Sequence, residues 1–363
     1  MNHRAHHKVL LMAGGTGGHV YPALAVAERL RSEGHEVTWL GVRQGLEADL
    51  VPRSGIPIFY VKLTGLRGKG FVSWLSAPFR LLMSLVQSIV IIKRSRPRVV
   101  LGMGGFVAGP GGLAAWLLRC PLLIHEQNAI PGLTNRLLAV LANQVLEAFS
   151  GTFAERYAAV HTGNPIRAEL NHVPPPDQRF AGRTGAPRLL VLGGSQGAAR
   201  LNAVVPSAVA NMIGDSKIEI RHQCGGRHVE ITQLAYQSRN LKVELLPFIE
   251  DMAEAYAWAD LVIGRAGAMT VCELAAVGAA AILVPYPYAV DDHQSANARL
   301  LVDVGAAVLI PEEKLTPELL GQTVKQLFLT RDRLLNMAKA ARSKAVVDAA
   351  TRVAGHCLET ADA

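Results

Sequence analysis

Three stretches of this chain place glycine directly after an apolar run. Residues 14–19 read GGTGGH after Val9-Leu10-Leu11-Met12-Ala13, residues 102–112 read GMGGFVAGPGG after Arg98-Val99-Val100-Leu101, and residues 193–198 read GGSQGA after Leu189-Leu190-Val191-Leu192. At the end of a strand, glycine adopts dihedrals that other residues avoid and lets a ligand touch backbone N–H groups. The helix that follows aims its positive end at the same spot. The chemistry this suits is the holding of an anion in the crevice outside the strand ends. One such loop is as readily a plain tight turn; three together favour a ligand. No G-x-x-x-x-G-K-[ST] occurs, which excludes a Walker-type nucleotide hydrolase. The G-x-G-x-x-G fingerprint fails at Val20 after Gly15 and Gly17, and at Val107 after Gly102 and Gly104, which disfavours a nicotinamide dehydrogenase.

Parallel strands and following helices are needed to place these turns. After the first turn, PALAVAERLRSEGH has helical spacing at Leu24, Ala27 and Leu30 and stops at Gly34. EVTWLG, RVVLGMGG and PLLIHEQN (121–128) read as further strands separated by helix-length segments, which predicts a parallel sheet covered on both faces. Around 163–176, GNPIRAELNHVPPP loses periodicity and gains proline, as a linker does. The rhythm restarts with PRLLVLGGSQG, KIEIRHQCG, LKVELLPFI, ADLVIGRAGA, AAILVPYP and AAVLIP. The expectation is two α/β halves, residues 1–166 and 167–342, with a C-terminal helix over about 343–363 packing back on the first.

Composition agrees with a chain of two cores. At 363 residues two domains are expected, and 50% apolar with 18% charged residues argues against disorder. The net charge of +8 admits nucleic acid, an anionic membrane surface or phosphorylated substrates. No Lys/Arg run of nucleic-acid type appears and aromatics are few, so nucleic acid is set aside. Cys120, Cys224, Cys272 and Cys357 lie far apart without metal-type spacing and read as free thiols in a reducing compartment. The basic MNHRAHHK start is followed by an apolar run that glycine breaks after five residues, so it reads as a first strand and not a secretory signal.

Eight separated stretches resemble the MurG family of peptidoglycan glycosyltransferases (glycosyltransferase family 28), from about residue 8 to the C-terminal helix. They are MAGGTGGHVYPALAVA, GLRGKG, LGMGGFVAGPGGLAA, HEQNAIPGLTNR, GNPIR, LGGSQGA, FIEDMAEAYAWADLVIGRAGAMTVCELAAVG and DDHQSANA. The resemblance implies the GT-B architecture: an α/β fold of two Rossmann-like parallel-sheet domains facing across a cleft, the donor bound mainly by the second. It implies an inverting transferase that moves N-acetylglucosamine from UDP-N-acetylglucosamine to the C4 hydroxyl of the muramoyl sugar in lipid I, the undecaprenyl-diphosphate-linked muramoyl-pentapeptide. The product is lipid II, in peptidoglycan synthesis. Expected partners are these two substrates, an anionic membrane surface on the cytoplasmic face of the inner membrane, and other cell-wall synthesis and division proteins. Rival readings are a GT-B transferase with another lipid acceptor, a UDP-N-acetylglucosamine epimerase, and a non-catalytic division scaffold. An epimerase has no second anion to hold, whereas GLRGKG and GMGGFVAGPGG offer a second site; a dead scaffold has no reason to keep His19, Glu273 and Gln294 together.

The resemblance also assigns residues. Ser195, Gln196 and Gly197 should cradle the donor diphosphate, with Thr16, Gly17 and Gly18 opposing them and Arg167 on a phosphate or the sugar side. The backbone of Ile249 should meet uracil. Ala268, Met269, Thr270, Val271 and Cys272, from a helix starting at about Met269, offer N–H groups to phosphate. Glu273 should accept from the ribose hydroxyls, although first-turn complementarity to the helix dipole explains it equally on sequence alone. Gln294, Asn297 and Asn128 suit the sugar, and Ala266 stands where the family often has serine. Gly14, Gly15, Gly104 and Gly105 are expected at the acceptor diphosphate.

For the base that takes the acceptor hydroxyl's proton, His19 is the leading candidate, because an imidazole titrates near working pH. Capping the turn or meeting a phosphate as a cation are the bland alternatives, and Glu126 and His125 are its rivals as base or as orienting groups. No D-x-D occurs, Asp291-Asp292 is poor ligand geometry, and helix termini with arginine can neutralise a diphosphate, so no tightly held metal or other cofactor is expected. Phe71, Trp74, Leu75, Phe79 and Arg80 form the expected membrane contact. Pro78, Arg80 and Gln87 oppose a spanning helix, and Leu81–Ile92 reads as a helix buried on the sheet.

Overall fold

The computed structural model describes residues 6–62, 77–194, 197–212 and 217–363. The chain divides into two compact units, Met1–Arg167 with Val347–Ala363, and Ala168–Val346.

The first unit runs β1 (Lys8–Met12), α1 (Gly17–Ser32), β2 (Glu36–Gly41), α2 (Glu47–Arg53), β3 (Ile58–Tyr60), α3 (Ala77–Ser95), β4 (Val99–Gly102), α4 (Ala108–Leu117), β5 (Leu122–Glu126), α5 (Leu133–Leu138), β6 (Gln144–Glu147) and β7 (Val160–His161). Its strands form one parallel sheet in the order β3-β2-β1-β4-β5-β6-β7, with Val9 in register with Val37 on one side and Val99 on the other. Every residue of β4 and β5 is buried, as expected of a parallel sheet with helices on both faces.

The second unit runs α6 (Pro176–Phe180), β8 (Arg188–Leu192), α7 (Ala199–Met212), β9 (Glu219–Gln223), α8 (Val229–Gln237), β10 (Glu244–Leu246), α9 (Met252–Trp258), β11 (Leu261–Gly264), α10 (Ala268–Val277), β12 (Ala281–Leu283), α11 (His293–Val302), β13 (Ala307–Leu309), α12 (Pro317–Phe328) and α13 (Arg331–Arg342). Its sheet, also parallel, has the order β10-β9-β8-β11-β12-β13. The last helix, α14 (Ala349–Asp362), belongs to the first unit: Val353, Ala354, Cys357 and Ala361 are buried in the same core as Val9, Leu11 and Leu30. Arg98 Nη2 fastens it by donating to the Ala361 carbonyl at 3.1 Å.

One expectation is corrected in α3. Leu81–Ile92 is not buried throughout: Phe79, Leu82, Val86 and Val90 lie 52–65% exposed, while Ser84, Ser88 and Ile92 are buried and Leu85 and Ile89 pack half-buried against the core. The serine hydroxyls donate to the Leu81 and Ser84 carbonyls at 2.8 Å, so the hydroxyls are satisfied within the helix and α3 can lie close on α4. Leu82, Val86 and Val90, on the opposite side of the helix, are left outside. Pattern alone misled because apolar residues occupy two sides of this helix and only the side of Leu85, Ile89 and Ile92 meets the core.

Candidate functional site

In the first sheet the strand order reverses direction between β1 and β4, and the loops that leave these two strands open a crevice there. The GGTGGH loop follows β1, and α1 starts inside it at Gly17, which puts His19 in the first helical turn, half-buried. The loop after β4 packs directly on it. Gly104 (φ +95°) has no side chain because a Cβ would lie 2.6 Å from His19 Nδ1, and Gly105 (φ +80°) because a Cβ would collide with the Gly14 carbonyl. Both positions also lie in the left-handed region that favours glycine. Gly104 and Gly105 therefore let two loops touch each other.

Beneath the first loop sits Glu47, the opening residue of α2, with no exposed surface. Its Oε2 accepts from the Gly15 N–H and its Oε1 from the Val42 N–H, both at 2.9 Å. Gly14, Gly41 and Gly45 surround this carboxylate, and a Cβ on any of them would run into it. The Gly15 N–H, expected at an acceptor diphosphate, is thus engaged by Glu47 instead.

From β5 a polar cluster reaches the same crevice. His19 Nδ1 lies 2.8 Å from Gln127 Oε1; Gln127 Nε2 lies 3.1 Å from both the His125 carbonyl and His125 Nδ1; His125 Nε2 lies 2.9 Å from the Gly163 carbonyl. His125 and Gln127 are two residues apart on an extended segment and so share one face. Burial pushes the His125 pKa down to about 4, outweighing the Gly163 hydrogen bond and the nearby Glu126, which favour the charged form. Glu126 is otherwise employed. Its Oε1 accepts from Asn128 N at 3.0 Å and Asn128 Nδ2 at 3.1 Å, and its Oε2 from Gly132 N at 3.1 Å and Asn135 Nδ2 at 2.9 Å. A carboxylate holding four donors staples the 126–135 loop, and orienting Asn128 is the role this geometry gives it. Arg167, at the end of the unit, stacks its guanidinium 4.8 Å over the Tyr21 ring. Thr16 and Gly18 are exposed and Gly17 is half-buried.

In the second sheet the order reverses between β8 and β11, so the segments that leave these strands, from Gly193 and from Arg265, flank its crevice. Ser195 and Gln196 lie outside the described residues. Gly197 packs against the Cys224 carbonyl and the His228 ring, leaving no room for a side chain. Gln223 braces the loop: its Oε1 accepts from Gly194 N and its Nε2 donates to Gly194 O, both at 2.9 Å, and to Pro247 O at 3.2 Å. The same amide thus joins the glycine loop to the 247–249 segment, where Ile249 is buried.

Helix α10 starts at Ala268, after Gly267 in extended conformation, with no side chain capping it. Met269, Thr270 and Cys272 are half-buried there, and Ala268 and Val271 are buried. Glu273 is buried too and accepts from the Tyr256 hydroxyl at 3.1 Å. Gln294 Oε1 accepts from Tyr286 N at 2.9 Å, and Asn297, with no exposed surface, donates to the Ala266 carbonyl at 3.3 Å. Asp291 and Asp292 are exposed, with left-handed φ of 53° and 49°. Sequence reasoning missed Gln127, Glu47 and Gln223; only the shared strand face of His125 and Gln127 was available to reveal the first.

The sequence pattern of the glycosyltransferase family 28 N-terminal domain matches residues 9–147, and that of its C-terminal domain matches residues 188–353. The chain belongs to glycosyltransferase family 28. The two family 28 matches contain the loops at 14–19, 102–112, 125–128, 193–198 and 267–273. A UDP-N-acetylglucosamine–N-acetylmuramyl-(pentapeptide) pyrophosphoryl-undecaprenol N-acetylglucosamine transferase of Nitrosococcus oceani is 55% identical over 98% of this chain and 99% of its own length. The crystal structure of Acinetobacter baumannii MurG is 42% identical, with a TM-score of 0.85 over 97% of this chain and 99% of that one. A putative UDP-N-acetylglucosamine 2-epimerase from Listeria monocytogenes superposes with a TM-score of 0.67, covering 96% of this chain and 95% of that one, but at 15% identity it shares the fold alone.

Proposed function

We propose that this family 28 chain transfers N-acetylglucosamine from UDP-N-acetylglucosamine to the C4 hydroxyl of the muramoyl sugar of lipid I, forming lipid II. The observation that carries this reading is the 55% identity to the N. oceani transferase over nearly the whole of both chains. The site geometry supplies a mechanism.

His19 Nε2 takes the proton of the attacking hydroxyl as that oxygen displaces the diphosphate from the anomeric carbon on the opposite face. His19 is fit for this because it stands at the mouth of the first crevice and Gln127 already occupies its other nitrogen. The departing UDP is negative, and the first-turn N–H groups of α10 act as fixed donors toward it, with Ser195, Gln196 and Gly197 of the glycine loop beside the diphosphate. Arg167 adds a permanent positive charge. Gln294 and Asn128 turn toward the sugar, Glu273 toward the ribose and the Ile249 backbone toward uracil. These fixed charges serve the diphosphate without a tightly held ion; loss of donor binding on chelation would contradict that.

The acceptor carries an undecaprenyl chain, so the enzyme works at a bilayer. Among the described residues no helix is long and apolar enough to cross a membrane. Phe79, Leu82, Val86 and Val90 form an exposed apolar stripe on α3, the neighbouring α4 exposes Trp116 and Leu117, and α3 also carries Arg80, Lys93 and Arg94. Apolar surface bordered by cations suits peripheral binding to anionic lipid, at the cytoplasmic face of the inner membrane. Phe71, Trp74 and Leu75, expected in the same contact, lie outside the described residues.

The test incubates pure protein with radiolabelled UDP-N-acetylglucosamine and a short-chain lipid I analogue. Label in an organic-extractable product is the expected result. Label that stays in the aqueous phase, or appears there as an epimerised sugar nucleotide, overturns the reading.

A further inference from the structure

We propose that Gln127 is a positioning residue that locks His19 in the tautomer with its proton on Nδ1, so that Nε2 presents a lone pair to the acceptor. The proposal rests on the reading of His19 as the base. It follows from the direction of the hydrogen bonds.

A carbonyl oxygen only accepts. Gln127 Nε2 lies 3.1 Å from the His125 carbonyl, so the nitrogen of this amide must occupy that side and Oε1 the other. The orientation of the amide is therefore fixed by chemistry. His125 Nε2 lies 2.9 Å from the Gly163 carbonyl and must carry a proton. Held neutral by burial, His125 then has a lone pair on Nδ1, which accepts from Gln127 Nε2 at 3.1 Å. The remaining atom, Gln127 Oε1, faces His19 Nδ1 at 2.8 Å and has nothing to donate, so Nδ1 is the donor. One directional chain thus runs from His19 through Gln127 and His125 to the Gly163 carbonyl.

The surroundings keep this arrangement from rotating away. Gln127 is 1% exposed, and Asn164 Nδ2 donates to its backbone carbonyl at 3.3 Å. The His19 ring lies against Gly104, where a Cβ would come within 2.6 Å of Nδ1. The charged and titratable groups on the elements around His19 are Glu47 beneath the first loop, His125 and Glu126 at the end of β5, and Arg167 over Tyr21. Among the described residues the imidazole's hydrogen-bond partner is Gln127 alone. In water the neutral imidazole divides its proton between both nitrogens; the wrong tautomer puts a hydrogen where the acceptor's proton must go.

The test uses the full chain labelled with ¹⁵N at histidine. The His19 signals are assigned by their loss in His19→Asn. The proposal expects a protonated Nδ1 and a bare Nε2 in neutral His19, read from the two-bond couplings to the ring protons. Gln127→Met removes the acceptor while keeping length. In that variant the signals shift toward a mixture of tautomers, and kcat falls about tenfold or more with the KM for UDP-N-acetylglucosamine within about twofold of wild type. Gln127→Glu puts a carboxylate on Nδ1, so the acid limb of the kcat profile moves up by about one pH unit. A wild-type His19 protonated on Nε2, or a Gln127→Met enzyme with unchanged tautomer and kcat, overturns the proposal. The spectrum of the wild-type protein needs no variant to fold. If His19→Asn retains full kcat, the base assignment fails, while the tautomer measurement stands on its own result.

Discussion

Glu47→Ala should destabilise the first unit and disable its glycine loop. The carboxylate has no exposed surface and accepts from Gly15 and Val42 at 2.9 Å each. Removing it leaves two backbone N–H groups without an acceptor, at about 1–3 kcal/mol apiece. The vacated space is polar and admits water, which keeps the total near the lower half of that range, about 2–4 kcal/mol. For a unit of this size 1 kcal/mol moves the melting temperature by about 2–4 °C, so the transition should fall by about 10 °C. Glu47→Gln keeps one acceptor and the packing against Gly14, Gly41 and Gly45, and should fall by about half as much. The assay is thermal unfolding followed by circular dichroism, alongside kcat, which should drop because α1 and His19 follow this loop. A Glu47→Ala protein that melts within about 2 °C of wild type would refute the reasoning.

Other perturbations follow from the same contacts. His125 is neutral when folded, with a pKa of about 4 against 6.5 for a free imidazole. The unfolded chain therefore binds its proton first: the stability is fully present above pH 6.5 and is lost as pH falls to 4, by about 3 kcal/mol. Urea unfolding at pH 7 and pH 5 should show part of that loss, blunted in His125→Gln; equal stability at both pH values would contradict the burial argument. Gln223→Ala should loosen both the Gly194 loop and the Pro247 segment, raising the KM for UDP-N-acetylglucosamine about tenfold with a smaller change in kcat; steady-state kinetics decide, and an unchanged KM would contradict the bracing role. Phe79→Ser with Val86→Ser should leave soluble turnover intact and reduce sedimentation with anionic vesicles severalfold; undiminished sedimentation would remove α3 from the membrane contact.

What was legible in the sequence has a physical pattern. Buried parallel strands are continuous apolar runs, and the turns after β1, β4 and β8 announce themselves because only glycine fits them, so the two α/β halves could be read directly. Local spacing also placed His19 beside its loop. Glu47 carries no signal in the sequence, because its role depends on Gly15, 32 residues away. Gln127 serves His19 across 108 residues and Gln223 serves Gly194 across 29, distances over which no period or motif speaks. Glu126 drew attention as a carboxylate, yet the loop that wraps it supplies four donors and leaves it a structural task. In α3 apolar residues lie on two sides, Leu85, Ile89 and Ile92 toward the core and Leu82, Val86 and Val90 away from it, so an apolar run does not tell which side is buried.

The most direct test of the chemistry is turnover by His19→Ala at saturating substrates, with UDP affinity measured separately by calorimetry. A histidine that takes the acceptor's proton should make this variant slower by about a hundredfold or more while UDP binds as before. Turnover within about threefold of wild type would show that the proton leaves by another route.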